Sequence, residues 1–135
     1  WTQERIAYMD DACRRTDFHQ RLAAELSPYL RRTNRICDAG CGLGYLSLAL
    51  APYVGAVTAV ERDAQALAVL KREIETRHIA NVTAVRGDVL AYRPDEPFDA
   101  MVFCFFGGMD EILSVARSRC RGTVIAVKRD HRDHR

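Results

Sequence analysis

The stretch that most constrains the fold is residues 36–46, which read ICDAGCGLGYL. Residues 36–39 predict a short buried strand, and the apolar spacing from residue 45 onward predicts a helix. Between them, Gly40, Gly42 and Gly44 stand at alternate positions. Glycine has no Cβ, so the backbone can turn sharply here and approach a ligand closely. The sequence therefore predicts a strand, a tight turn and a helix whose first amides face a ligand.

From residue 34 onward, strand signals alternate with helix signals. Apolar runs predict strands at 36–39, 56–61, 82–85, 98–105 and 123–127, with helices at 45–51, 64–77 and 110–119. Most of these runs are apolar throughout, as is typical of strands buried on both faces. The pattern predicts an α/β fold, with a doubly wound and mostly parallel sheet of about five strands.

Two further helices are predicted before the sheet, within residues 1–33. Asp17 is the expected N-cap of the second helix, Leu22, Leu26 and Tyr29 form its apolar stripe, and Pro28 is expected to break its last turn. The two helices either bury an apolar face against the core or form a lid over a ligand pocket. The residues leave both interpretations open.

Composition excludes several classes of protein. The chain has 135 residues and a net charge of +2, which fits one globular domain and does not by itself indicate nucleic-acid binding. Its five cysteines lack the spacing of a zinc site or of a small disulfide scaffold, so we predict no metal site and reduced thiols in the cytoplasm. No run is long enough to span a membrane, and no signal peptide is evident.

Three acidic residues follow successive predicted strands: Asp38, Glu61 and Asp88. Parallel strands place their carboxyl ends along one edge of a sheet, so these carboxylates are expected to line one crevice. Glu61 comes 19 residues after Gly42, close to the offset of an acid that binds ribose hydroxyls.

The glycine spacing separates two kinds of nucleotide ligand. A dinucleotide fingerprint reads G-x-G-x-x-G, whereas here the third glycine comes one residue early and Tyr45 takes its place. Asp38 would also repel a pyrophosphate and suits a ligand that carries an ammonium group. The absence of G-K-[ST] argues against a P-loop.

The ordered set of motifs resembles the class I S-adenosylmethionine-dependent methyltransferases, which have a Rossmann-like fold. Residues 38–44 (DAGCGLG) resemble their first motif, residues 60–63 (VERD) the second and residues 87–89 (GDV) the third. The resemblance implies that S-adenosylmethionine is the cofactor. It also implies which residues contact it: Asp38, Gly40, Cys41, Gly42 and Gly44 at the methionine end, Glu61 at the ribose, Asp88 and Val89 at the adenine, and Arg62 beside the adenosine pocket.

The acceptor side of such an enzyme is expected after the fourth strand, at residues 104–108 (CFFGG). This segment lacks the Asn/Asp-Pro-Pro motif of amino-directed nucleic-acid methyltransferases and the Pro-Cys motif of cytosine-C5 enzymes. Cys104 is therefore expected to be a core thiol and not a nucleophile, and at its strand end it joins the predicted cofactor contacts. Phe105 and Phe106 either pack in the core or stack on a planar acceptor or the adenine. No catalytic residue is predicted.

The predicted function is transfer of a methyl group to a small-molecule or RNA acceptor. The alternative is a non-catalytic methyltransferase-like binding module, whereas the glycine spacing disfavours a nucleotide-dependent oxidoreductase. The predicted domains are an N-terminal helical cover at 1–33 and a cofactor-binding domain at 34–135. Because the family's sheets continue past a fifth strand, we expect this chain to lack the last strands, to continue beyond Arg135, or to have its edge covered by another segment or a second copy. Residues 128–135 are expected to be a solvated end, with phosphate or RNA contact as the alternative.

Overall fold

The structure is a computed structural model that describes residues 1–104 and 107–127. Within these residues the helices are α1 (Gln3–Arg15), α2 (Phe18–Leu26), α3 (Tyr45–Leu50), α4 (Ala64–Thr76) and α5 (Met109–Arg119). The strands are β1 (Arg35–Ala39), β2 (Ala56–Glu61), β3 (Val82–Arg86), β4 (Phe98–Cys104) and β5 (Cys120–Val127). Short 3-10 turns at Ser27–Tyr29 and Ala51–Tyr53 follow α2 and α3.

The five strands form one parallel sheet in the order β3-β2-β1-β4-β5. The chain adds strands outward on one side of β1 and then crosses to the other side for β4 and β5. This topology confirms the predicted doubly wound parallel sheet. The direction in which the chain adds strands to the sheet reverses between β1 and β4. Ligands of open α/β sheets bind outside the strand ends at such a switch point.

Helices cover both faces of the sheet because successive strand residues point to opposite sides. On one face, Ile36 and Val57 pack with the apolar sides of α2, α3 and α4. On the other face, Cys37, Met101 and Phe103 pack with α5. The two apolar clusters meet the sheet at alternate residues of β1, which is what a strand buried on both sides requires.

The first two helices are attached to this core in different ways. Helix α2 contributes Ala23 and Leu26 to the first apolar cluster. Helix α1 has no fully buried residue, but Ile6, Met9 and Cys13 pack against the same cluster, and polar contacts add to this packing. The Tyr45 hydroxyl donates a hydrogen bond to Asp10, and an Arg14 guanidinium nitrogen lies 2.9 Å from a carboxylate oxygen of Glu73.

Three local predictions differ from the structure. Tyr29 is 65% exposed and does not lie on the stripe of α2, because the helix ends at Leu26 and the 3-10 turn containing Pro28 changes its direction. Asp17 is the N-cap residue of α2 but its side chain makes no capping bond, and it lies 3.4 Å from Arg21 instead. Strand β5 begins at Cys120, since Phe98 of β4 already pairs with that residue.

The cysteines and the helices allow three further observations. All five cysteines are free, and only Cys37 is fully buried. No helix in the described ranges is both long and apolar enough to cross a membrane. In the same part of the chain, no group of three or more His, Cys, Asp or Glu residues is arranged to hold a metal ion. Phe105, Phe106 and the basic segment 128–135 lie outside the described residues.

Candidate functional site

The turn between β1 and α3 depends on backbone angles that favour glycine. Gly40, Gly42 and Gly44 have φ values of 68°, 60° and 84°. This left-handed region is unfavourable for residues with a Cβ. Gly44 has a second constraint, because a Cβ there would lie 2.5 Å from a methyl carbon of Leu70 on α4. The three glycines are therefore required for the turn and, at Gly44, for its packing against α4.

The glycine turn is hydrogen-bonded to the end of β2. The Gly42 amide donates a hydrogen bond of 2.8 Å to Oε1 of Glu61, whose Oε2 accepts one of 3.0 Å from the Asp63 amide. The Cys41 amide donates to the Val60 carbonyl at 2.9 Å. A carboxylate oxygen has two lone pairs, so both oxygens of Glu61 can still accept a bond from a ligand hydroxyl. The 19-residue spacing between Gly42 and Glu61 corresponds to a direct contact.

Asp38 lies at the end of β1 with a relative exposure of only 1%. Its Oδ2 accepts a 2.7 Å hydrogen bond from the hydroxyl of Ser47 on α3. Burial, with a smaller contribution from the charge of Glu61, raises the pKa of Asp38 to about 6, although the Ser47 bond opposes this rise. A buried carboxylate with so little solvation favours a cation beside it. Asp38 is thus suited to a ligand that carries an ammonium group.

Asp88 follows β3, which is the third strand end of the predicted crevice. Its Oδ1 accepts a 2.9 Å hydrogen bond from the Leu90 amide, and this bond fixes the turn after β3. Its second oxygen has no hydrogen-bond partner among the described residues. Val89, the next residue, is buried with the second apolar cluster. A polar acceptor and an apolar side chain thus stand together at this strand end, as a purine ring would require.

Two cavities open at the carboxyl ends of the strands. The first, of about 250 Å³, is lined by Gly40, Glu61, Arg62, Asp88 and Val89 together with Glu111 of α5. The second, of about 200 Å³, is lined by Asp38, Gly40, Cys41, Gly42, Gly44 and Cys104 together with residues of α1 and α2. Gly40 borders both. The structure therefore brings all ten predicted site residues to two adjoining cavities.

Sequence reasoning missed the residues that line these cavities from the helices. Glu111 of α5 borders the first cavity, and His19 of α2 borders the second. His19 precedes Leu22 and Leu26 by three and seven residues, which places it on the buried side of α2. This spacing predicts that His19 lies on the buried side of α2, but only the tertiary packing places its imidazole at a cavity.

The thiols of the second cavity are not activated. Burial, followed by the charge of Asp38, raises the pKa of Cys104 to about 11, and burial also raises the pKa values of Cys13 and Cys41. Nucleophilic cysteines need a lowered pKa. Cys104 is half-buried: it packs against the first apolar cluster, as expected of a core thiol, and it also borders the second cavity, without nucleophilic character.

The residues present fit an adenosyl cofactor with a cationic amino-acid end. The first cavity offers carboxylate oxygens to hydroxyl and amino groups, and the second offers a buried carboxylate. The left-handed glycines leave open the space beside the backbone that a Cβ would restrict. This fit rests on the donors and acceptors of the two cavities.

Comparisons with known proteins identify the family of the chain. The sequence model of a family described as "Methyltransferase domain" matches residues 36–127, which is more than half of the chain. Over 68 residues the chain is 38% identical to the ribosomal protein L11 methyltransferase of Thermotoga neapolitana. That match covers 49% of this chain and 25% of the relative, so the chain spans about a quarter of that protein's length.

Solved structures show the same fold. Coclaurine N-methyltransferase, bound to N-methylheliamine and S-adenosylhomocysteine, superposes with a TM-score of 0.68 at 21% identity, over 79% of this chain and 34% of that one. An rRNA methylase from Streptococcus thermophilus superposes with a TM-score of 0.66 at 20% identity, over 83% of this chain and 71% of that one. At these identities the likeness concerns the fold, whereas the family match concerns the sequence. The chain belongs to the class I S-adenosylmethionine-dependent methyltransferase family.

Proposed function

We propose that this chain binds S-adenosylmethionine across both cavities and transfers its methyl group to a small-molecule or RNA acceptor. The observation that carries the proposal is the hydrogen bond between the Gly42 amide and Glu61, because it joins the glycine turn to the ribose-binding acid. Gly40 lies where the two cavities meet. One extended ligand can therefore contact both.

Each predicted contact has a role in this proposal. Glu61 accepts hydrogen bonds from the ribose hydroxyls, and Asp88 with Val89 holds the adenine. Arg62, exposed at the rim of the first cavity, flanks the adenosine. The carboxylate of Asp38 stabilises the ammonium of the methionine end.

At that same end, the backbone of the turn forms the cavity wall. Cys41 and the left-handed Gly40, Gly42 and Gly44 keep this wall free of large side chains. Cys104 borders the same cavity from the end of β4.

The cofactor supplies an activated methyl group on a sulfonium. The chain's own contribution is to hold the ligand in one orientation and to exclude water, and these effects account for much of the acceleration in such reactions. Helix α1 covers the second cavity with Met9 and Cys13, which supports the lid interpretation of the N-terminal helices. We therefore propose residues 1–33 as a cover and the rest of the chain as the cofactor-binding domain.

The proposed acceptor class follows from the similar proteins. The names of similar proteins refer to ribosomal protein L11, to an rRNA and to N-methylheliamine. We favour a small molecule or RNA, with a general base required only if the acceptor must first lose a proton.

Calorimetric titration tests the cofactor assignment. We expect S-adenosylmethionine and S-adenosylhomocysteine to bind to the wild-type protein and NAD not to bind. Replacing Glu61 with Ala should weaken binding at least tenfold, whereas Glu75→Ala, an exposed acid on α4, should leave it unchanged. Binding of NAD alone would refute the proposal.

A screen with labelled methyl groups then tests the transfer. Incorporation into RNA or into small-molecule pools is the expected result. Cofactor binding without transfer to any acceptor would favour the non-catalytic module.

We also propose a cytoplasmic location and a covered sheet edge. The free cysteines support a reducing compartment. Val124 on β5 is 38% exposed, and β5 pairs with no strand other than β4 among the described residues. Open strand edges favour association, so another chain segment or a second copy is proposed to cover β5. Light scattering of the isolated chain tests the second-copy alternative, for which a dimer is expected.

A further inference from the structure

The second cavity contains one more ionisable side chain, the imidazole of His19 on α2. Its ring is held by two aromatic neighbours. The Phe18 ring lies edge-on with a centroid distance of 5.1 Å, and the Tyr45 ring lies at 6.1 Å. The imidazole is thus oriented by packing, and its orientation does not depend on a hydrogen bond.

The nitrogens of His19 are available to a ligand. His19 has ring contacts with Phe18 and Tyr45, and neither of its nitrogens has a hydrogen-bond partner among the described residues. In the same part of the chain, no buried side-chain nitrogen or oxygen is left without a partner, so the nitrogens of His19 are not sealed in the core. Because His19 borders the second cavity, an accessible nitrogen there is positioned to meet a bound group.

The ionisable side chains that line the second cavity differ in charge. Asp38 at the end of β1 supplies a carboxylate, and the thiols of Cys13, Cys41 and Cys104 have raised pKa values that keep them neutral. Tyr45 on α3 also faces the cavity, and its hydroxyl is bonded to Asp10 of α1.

Trp1 also lines this cavity, and its terminal ammonium lies 3.4 Å from a carboxylate oxygen of Asp63. Of the side chains that line the cavity in the described residues, His19 alone can become a cation near neutral pH. Burial lowers the pKa of His19 below its usual range, which favours the neutral imidazole while the cavity holds no ligand. The Asp38 carboxylate can therefore bind a positively charged group in the cavity, and a protonated His19 can bind a negatively charged one.

From this arrangement we infer that His19 binds the carboxylate of the cofactor's amino-acid end while Asp38 binds its ammonium. The inference rests on the proposed function and goes beyond it, because it assigns a binding residue on α2 and couples binding to a proton. A carboxylate beside the imidazole favours the charged form, so His19 gains a proton as the ligand binds. The two groups of the zwitterion are thus recognised by two side chains of opposite charge.

Two ligands that differ only in the carboxylate provide the test. We expect wild-type protein at pH 6.5 to bind S-adenosylmethionine about tenfold more tightly than decarboxylated S-adenosylmethionine, which is about 1.4 kcal/mol. His19→Asn should remove this preference. His78→Asn is the matched control, because His78 is exposed on the turn after α4 and has a φ of 54° that Asn tolerates. It should keep the preference.

Nuclear magnetic resonance titration of the imidazoles gives a readout that does not depend on activity. The pKa of His19 should rise by about one unit when S-adenosylmethionine is bound and should stay unchanged with the decarboxylated ligand. The pKa of His78 should not respond to either. This measurement also shows whether His19→Asn is folded, since the remaining histidine signals keep their dispersion.

The outcomes separate the two proposals. If both ligands bind the wild type equally, or if His19→Asn keeps the preference, the role of His19 is wrong and the cofactor assignment stands. If neither ligand binds the wild type, the proposed function is wrong and this inference is refuted with it.

Discussion

Replacing Gly44 with Ala is expected to destabilise the fold strongly. The residue has a φ of 84°, and an added Cβ would lie 2.5 to 2.8 Å from three side-chain carbons of Leu70. A left-handed non-glycine residue costs about 1–2 kcal/mol, and overpacking a core costs about 1–3 kcal/mol. We therefore expect the free energy of unfolding to fall by about 2–5 kcal/mol on these two contributions.

Urea unfolding followed by circular dichroism measures this loss through the transition midpoint at constant slope. Gly87→Ala is the matched control, because nothing lies within 4 Å of a Cβ at Gly87 and its φ is not left-handed. Its effect should stay within about 0.5 kcal/mol. Introducing Gly44→Ala into a Leu70→Ala background should cost less than in the wild type, although the Leu70 Cβ still lies 2.8 Å away. Equal effects of Gly44→Ala and Gly87→Ala would refute the packing argument.

Three further substitutions test the electrostatics. Because burial raises the pKa of Asp38 to about 6, the wild type's free energy of unfolding should fall as pH rises from about 4 to 6. Asp38→Asn keeps an acceptor for Ser47 and should remove this pH dependence, so the same pH profile in the variant would contradict the prediction. Glu61→Gln turns one acceptor into a donor that faces a backbone amide, so the free energy of unfolding should drop by about 1–3 kcal/mol in urea titrations. Arg14→Ala should lower the free energy of unfolding by no more than about 1 kcal/mol, since Arg14 is half-exposed, but proteolysis within α1 should become faster. Equal cleavage rates in the wild type and the variant would show that α1 does not depend on the contact between Arg14 and Glu73.

The elements nearest the glycine turn were predictable from the sequence because their signals are local. The strand before Gly40, the helix after Gly44 and the acid at the end of β2 each follow from short patterns of apolar, glycine and acidic residues. The parallel order of the strands also places Asp38, Glu61 and Asp88 along one edge, as predicted.

Other features depend on packing that no local pattern encodes. The imidazole of His19 borders the second cavity only because α2 packs against α3, and the sequence shows the helix face without the neighbour. Strand β5 starts at Cys120, three residues before its β-branched run, because pairing with β4 extends back to Phe98. Gly122 permits this pairing, since a Cβ there would lie 2.3 Å from the Asp99 carbonyl oxygen.

The prediction for Tyr29 failed for a related reason. Its spacing fits the stripe of α2, but the 3-10 turn that contains Pro28 replaces the last helical turn and leaves the ring exposed. Helical spacing predicts a buried face only where the helix continues. The break was expected from Pro28, but its effect on the direction of the next side chain was not.

The central claim is that one ligand spans both cavities at the strand ends. Mapping of backbone amide shifts in ¹⁵N-labelled protein during titration with S-adenosylhomocysteine tests it most directly. We expect the largest shifts at Gly40 and Gly42 in the turn and at Asp88 and Val89 after β3, with saturation at one common affinity. Shifts confined to one cavity, or centred on the separate hollow beside Gln20 and Tyr53, would contradict the account.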